Sequence, residues 1–101
     1  MRVPTHRPPT HPGEMLLEEF LVPIGLSPQA LANSLKVPAA KVEAVISGQQ
    51  GLTPGLALRL AKFFAMSADF WLTLQLRWDL YQAQQEEAEI LAQIHPYQAA
   101  S

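Results

Sequence analysis

The stretch SPQALANSLKVPAAKVEAVISGQQGLTP, Ser27 to Pro54, decides the fold. Ser27 suits an N-cap, because its hydroxyl can accept from a first-turn N–H, and Pro28 suits the first helical position. Leu31, Ala32 and Leu35 then recur at helical spacing. Pro38 opens a second segment in which Val42, Val45 and Ile46 face inward, and Gly48 ends it. Thr53 followed by Pro54 repeats the cap signal. Helices over 28–35 and 39–47 are therefore separated only by Lys36, Val37 and Pro38. So short a link forces a steep crossing, the helix-turn-helix arrangement. Ala32 is small where the two helices meet, Val37 plugs the turn, and Val42 with Val45 anchors the second helix. Ala39, Ala40, Lys41, Glu43, Ala44 and Ser47 are left to the outside. In this geometry the N-terminal half of the second helix lies nearest the bases of a DNA major groove. A helical hairpin inside an ordinary bundle has the same short turn, so the pattern alone leaves both readings open. The turn also places Lys36 where positive φ is needed, at a cost of about 1 kcal/mol.

Working outward, Pro12 and Glu14 suit the first turn of a helix carrying Met15, Leu16, Leu17, Phe20 and Leu21, stopped by Pro23 and Gly25. Beyond Pro54 a fourth helix carries Ala57, Leu60, Ala61 and Phe64. Ser67 caps a fifth, which meets no glycine or proline until His95-Pro96. Period-two alternation and hairpin dipeptides are absent. The expected fold is all-α: a five-helix, lambda-repressor-like helix-turn-helix domain with a long C-terminal helix. The proline-rich residues 1–10 read as a flexible arm, residues 11–95 as the DNA-binding and dimerisation domain, and 96–101 as a tail.

The whole chain supports this. Its 101 residues suit one domain with a real core, and 49% hydrophobic with 16% charged residues describes a globular protein. No cysteine is present, which removes disulfides and thiolate metal sites. No apolar run reaches membrane length, no signal-peptide core follows the N-terminal arginines, and a cytoplasmic protein is expected. Net charge is −2, but residues 1–62 carry six basic against four acidic groups, and residues 63–101 carry Arg77 against five acidic ones. The end able to meet phosphate is the positive one. His6, His11 and His95 are too dispersed for a zinc site, and no serine has an adjacent histidine base. Neither enzyme chemistry nor a cofactor is expected.

Four stretches together carry a family likeness. HPGEMLLEEFL (11–21), then the helix-turn-helix, then GLTPGLALRLAKFF (51–64) and SADFWLTLQLRWDL (67–80) closely resemble the HigA-type antitoxins, also known as virulence-associated protein I. The likeness runs from His11 to about Asp79. It implies a small all-α domain that dimerises, binds an operator in its own promoter, and binds a partner toxin, typically a ribosome-dependent mRNA endonuclease of the RelE type. The departures fall on the surface that would read DNA. Family members commonly carry a polar-basic run there; the matching positions are Ala40, Lys41, Glu43, Ser47, Gln49 and Gln50, and only Lys41 keeps a positive charge. Pro28 replaces the glutamine that often opens the preceding helix, with Gln29 one place later.

Such a surface still has chemistry for a palindromic duplex. Lys41, Lys36 and the arm's Arg2 and Arg7, doubled in a homodimer, give about four to eight phosphate contacts. N–H groups near Ser27, Thr53 and Gln49 to Gly51 are placed to hold phosphates without charge. Gln29, Gln49 or Gln50 can pair with adenine, and Ala39, Ala40 and Ala44 can pack on thymine methyls. Glu43 can accept from cytosine but otherwise repels phosphate. In the last helix Phe70, Trp71, Leu74, Trp78 and Tyr81 form one face and Leu72, Leu76 and Leu80 another. Phe70 and Trp71 are assigned to the core; Leu74, Trp78, Leu80 and Tyr81 are candidates for a dimer contact. The alanine- and glutamine-rich outer helix also supports a second reading: a protein-interaction module, or a stand-alone or phage-derived regulator with weak or no DNA binding.

Overall fold

A computed structural model describes residues 8–98, in which every regular element is a helix. The arm's Arg2 and Arg7 lie outside the described residues. Helix α1 begins with α-helical Pro12–Met15, widens into a π-helical Leu16–Leu21, and closes with Val22–Ile24. It is followed by α2 (Pro28–Leu35), α3 (Ala39–Ile46), α4 (Pro54–Phe64), α5 (Ala68–Glu86) and α6 (Ala88–Ala92).

Local chemistry explains most boundaries. Ser27 Oγ accepts from Ala30 N at 3.1 Å, Thr53 Oγ1 from Leu56 N at 3.2 Å, and Ser67 Oγ from Asp69 N at 3.0 Å. Each satisfies a first-turn donor that the helix itself leaves unpaired. Gly25 ends α1 in the left-handed region at φ 67°, where a side chain would be strained. The wide turn within α1 has a packing consequence. Leu16 and Leu21 are five residues apart, yet both are buried. Regular α-geometry would turn them to different sides; an i→i+5 turn brings them onto the same side. Pro23, lacking an N–H, needs no α-register carbonyl behind it.

The core joins Leu16 and Leu21 of α1 to Leu31, Ala32 and Leu35 of α2, Val42 and Val45 of α3, Leu52, then Leu56, Ala57 and Leu60 of α4, and Trp71 of α5. Burying side chains of this size contributes about 1.5–3 kcal/mol each. Trp71 is fully enclosed, and its indole Nε1 finds no acceptor among the described residues.

Two sequence expectations need correction. The last helix does not run uninterrupted to His95: it breaks at Glu87 (φ −99°, ψ 5°), so the described residues form six helical elements. The acidic Glu86, Glu87 and Glu89 gather at the negative end of α5, and every residue from Gln82 to Gln98 is exposed, so no packing holds the helix straight. Phe70, assigned to the core, is 37% exposed, capping a cluster with Phe20 (6.0 Å) and Trp71 (5.1 Å) rather than entering it.

Candidate nucleic-acid interface

The turn between α2 and α3 is tight because Lys36 adopts φ 63°, ψ 42°, as the spacing required. The neighbouring carbonyls, turned outward by that conformation, are taken up by one side chain. Arg59 Nη1 donates to Leu35 O at 2.7 Å and to Lys36 O at 3.0 Å. A charged donor shared between two carbonyls at a helix end stabilises the strained corner.

Helix α3 is held from behind by Val42 and Val45, both buried, and by the start of α1. There His11 Nδ1 accepts from Gly13 N at 2.9 Å, capping α1. A Cβ on Gly13 would overlap the Val45 carbonyl oxygen and lie 2.8 Å from Ile46 Cα. Glycine thus lets two helix backbones touch directly. The His11 ring meets Trp78 edge-on, centroids 5.0 Å apart. Burial lowers the His11 pKa below its ordinary 6.5, against the opposing pull of the Asp79 and Glu14 carboxylates.

Outward from this support, Ala40, Lys41, Glu43, Ser47, Gln49, Gln50 and Gln29 are exposed, and Ala39 and Ala44 are half-buried. The structure brings two of them together: Gln29 Nε2 donates to Glu43 Oε2 at 2.8 Å. That bond ties the start of α2 to the middle of α3 and turns the glutamine amide toward the carboxylate. Ser47 Oγ donates to Ala44 O at 3.2 Å. The expectation that the Gln49 and Gln50 N–H groups hold phosphates is corrected here. Both donate to Ala44 O, at 2.9 and 3.1 Å, winding up the end of α3. The first-turn N–H groups of α2 and α4, at Gln29 and Gly55, have no partner within their own helices by helix geometry.

The loop after α3 is fixed from the far side. Gln75 Oε1 accepts from Leu52 N at 2.6 Å, while Gln75 Nε2 donates to Asp79 Oδ1 at 2.8 Å. Arg59 and Gln75 were not singled out from sequence, because each acts on a backbone group more than twenty residues away. Of the residues assigned to a dimer contact, Leu74, Trp78 and Tyr81 are half-buried and Leu80 is 51% exposed. Among the described residues, no three His, Asp or Glu side chains converge on a metal position, and no helix is long and apolar enough to cross a membrane.

No family model matches the chain. It is, however, similar to virulence-associated protein I of Dichelobacter nodosus, 42% identical over 83 residues that make up 82% of this chain and 77% of the relative. It is also similar to antitoxin HigA-1 of Vibrio cholerae, 38% identical over 90 residues covering 86% of this chain and 85% of that protein. The chain belongs to the HigA-type antitoxin family. Among solved structures, the Pseudomonas aeruginosa antitoxin HigA with the higBA promoter matches this HigA-type fold with a TM-score of 0.86 at 38% identity, over 89% of this chain and 99% of that one. The all-helical architecture and the helix-turn-helix are those of HigA antitoxins.

Proposed function

We propose that this HigA-type chain is a cytoplasmic, homodimeric antitoxin that binds a palindromic operator, represses its own operon, and neutralises a partner toxin of the RelE type. The observation that carries the DNA reading is the construction of α3. Its inner side is locked by Val42, Val45 and the Gly13 contact, leaving Ala40, Lys41, Glu43 and Ser47 outward. The likeness to a HigA solved with its promoter supports the same use here. Gln29, Ala39, Ala44, Gln49 and Gln50 complete the reading surface, and Leu74, Trp78, Leu80 and Tyr81 supply the dimer contact that sets two α3 helices about one DNA turn apart.

A titration of fluorescent DNA from the protein's own upstream region tests this, at low and moderate salt, with unrelated duplex as competitor. Specific binding lost in Lys41→Glu and kept in Arg77→Ala supports a reader at α3. Removing the two Lys41 contacts of a dimer should lower the salt slope by about 1.8. Binding no tighter than to the competitor at any salt overturns the operator reading and leaves a protein-interaction module.

A further inference from the structure

The long axis of the molecule spans 59 Å against 27 × 25 Å across, and its radius of gyration is 17.4 Å. A compact chain of about 100 residues has roughly 13 Å. At the C-terminal end every residue from Gln82 to Gln98 is exposed. Helix α6 packs mainly onto α5, and it carries Ile90 and Leu91, with Ile94 just past its end; these are 54%, 49% and 62% exposed. Three large aliphatic side chains within five residues are flanked by Glu86, Glu87 and Glu89. An acidic, apolar segment held away from its own core is unpartnered.

A surface of the opposite character lies on α4. Leu58, in the middle of this packed helix, is 63% exposed, and Phe63, near its end, is 40% exposed. With Ser34 and Leu35 of α2, and with Arg59 and Lys62, they line an apolar hollow of about 320 Å³. A second hollow adjoins it across Leu58 and Lys62, and no acidic side chain lines either one.

We propose that α6 of one protomer, with the residues just after it, docks in the Leu58–Phe63 hollow of a second copy, with Ile90, Leu91 and Ile94 against the apolar floor and the glutamates against Lys62 and Arg59. This rests on the homodimer reading above and adds a second contact, distinct from the α5 contact of Leu80 and Tyr81. Both halves of the complement are present on one chain. In a two-fold pair the contact is therefore made twice, each arm clasping the other subunit. Opposite charges around an apolar centre fix the register of such a contact.

The absence of cysteine makes the test direct. Leu91→Cys in one preparation and Leu58→Cys in a second, differently tagged preparation are mixed and oxidised. Only an arm reaching another copy can join the two tags, because a disulfide requires Cβ atoms about 4 Å apart. The expected result is a covalent mixed dimer, with none from the control pair of Leu91→Cys and the exposed Val22→Cys. In parallel, sedimentation should show Lys62→Glu weakening the dimer about tenfold and Glu89→Lys restoring it in the double variant. A dimer that forms without the mixed cross-link overturns the arm contact and leaves the homodimer standing. A monomer at all concentrations overturns both.

Discussion

Replacing Gly13 by alanine tests the central packing contact of the reading head. The added methyl meets backbone, which cannot swing aside: the Val45 carbonyl oxygen, and Ile46 Cα at 2.8 Å. Carbon atoms pack at about 3.5–4.0 Å, so α1 and α3 must separate by on the order of 1 Å. Overpacking of this kind costs about 1–3 kcal/mol, and an unyielding backbone obstacle belongs at the upper end. Alanine's better helix propensity offsets up to about 1 kcal/mol. The net expectation is a loss of about 2 kcal/mol, a fall in Tm of roughly 8–16 °C for a domain of this size. The chain contains its own control. Gly55 also follows a proline at the start of a helix, yet the nearest atom to a Cβ there is Thr53 Oγ1 at 4.0 Å. Gly55→Ala should be neutral or stabilising by up to about 1 kcal/mol. Urea and thermal unfolding followed by circular dichroism give both values. Equal responses of the two variants would refute the close approach of α1 to α3.

Three further outcomes are expected. Lys36→Gly should stabilise the fold by about 0.5–1 kcal/mol in urea unfolding, because glycine adopts the left-handed turn freely, partly offset by its looser unfolded chain. Arg59→Met keeps the aliphatic stem and loses the two bonds to Leu35 O and Lys36 O, so it should destabilise by about 1–2 kcal/mol and couple non-additively with Lys36→Gly in a double-mutant cycle. For His11, burial holds the folded imidazole below 6.5, so the unfolded chain takes up the proton first as pH falls. Its contribution is complete above about pH 6.5 and lost as pH drops through the folded value. His11→Asn keeps an N-cap acceptor and cannot titrate, so its stability should fall less than wild type between about pH 7 and 5, measured by denaturant midpoints.

Much of this fold was legible because it is specified locally. Ser27, Thr53 and Ser67 announce three helix starts within three residues of the donors they cap. The short Lys36–Val37–Pro38 link fixes the crossing and even the left-handed lysine. Ala65, left-handed at φ 54° after α4, has no such signal, since alanine is not a residue that favours this conformation. The outward residues of α3 follow from period 3.6 alone. What hid was the bracing: Arg59 and Gln75 reach carbonyl and amide groups 23 or 24 residues away, and periodicity carries no record of such pairings. His11 had a readable clue, a side-chain acceptor directly before Pro-Gly-Glu, but histidine is an uncommon cap. The Gln29–Glu43 bond depends on the α2–α3 crossing, so neither residue reveals it singly.

The way α3 is mounted bears on how such a protein changes its target. The helix is secured through its backbone, through Val42 and Val45, and through the Gln29–Glu43 bond, and none of these contacts uses the side chain of Ala40 or Lys41. Ala40 and Lys41 can therefore be replaced without loosening the mount, whereas a change at Glu43 also breaks its bond to Gln29. Substitutions at those two positions change the charge and shape of the exposed face while the packing behind it stays the same. Stability and vocabulary are separate there.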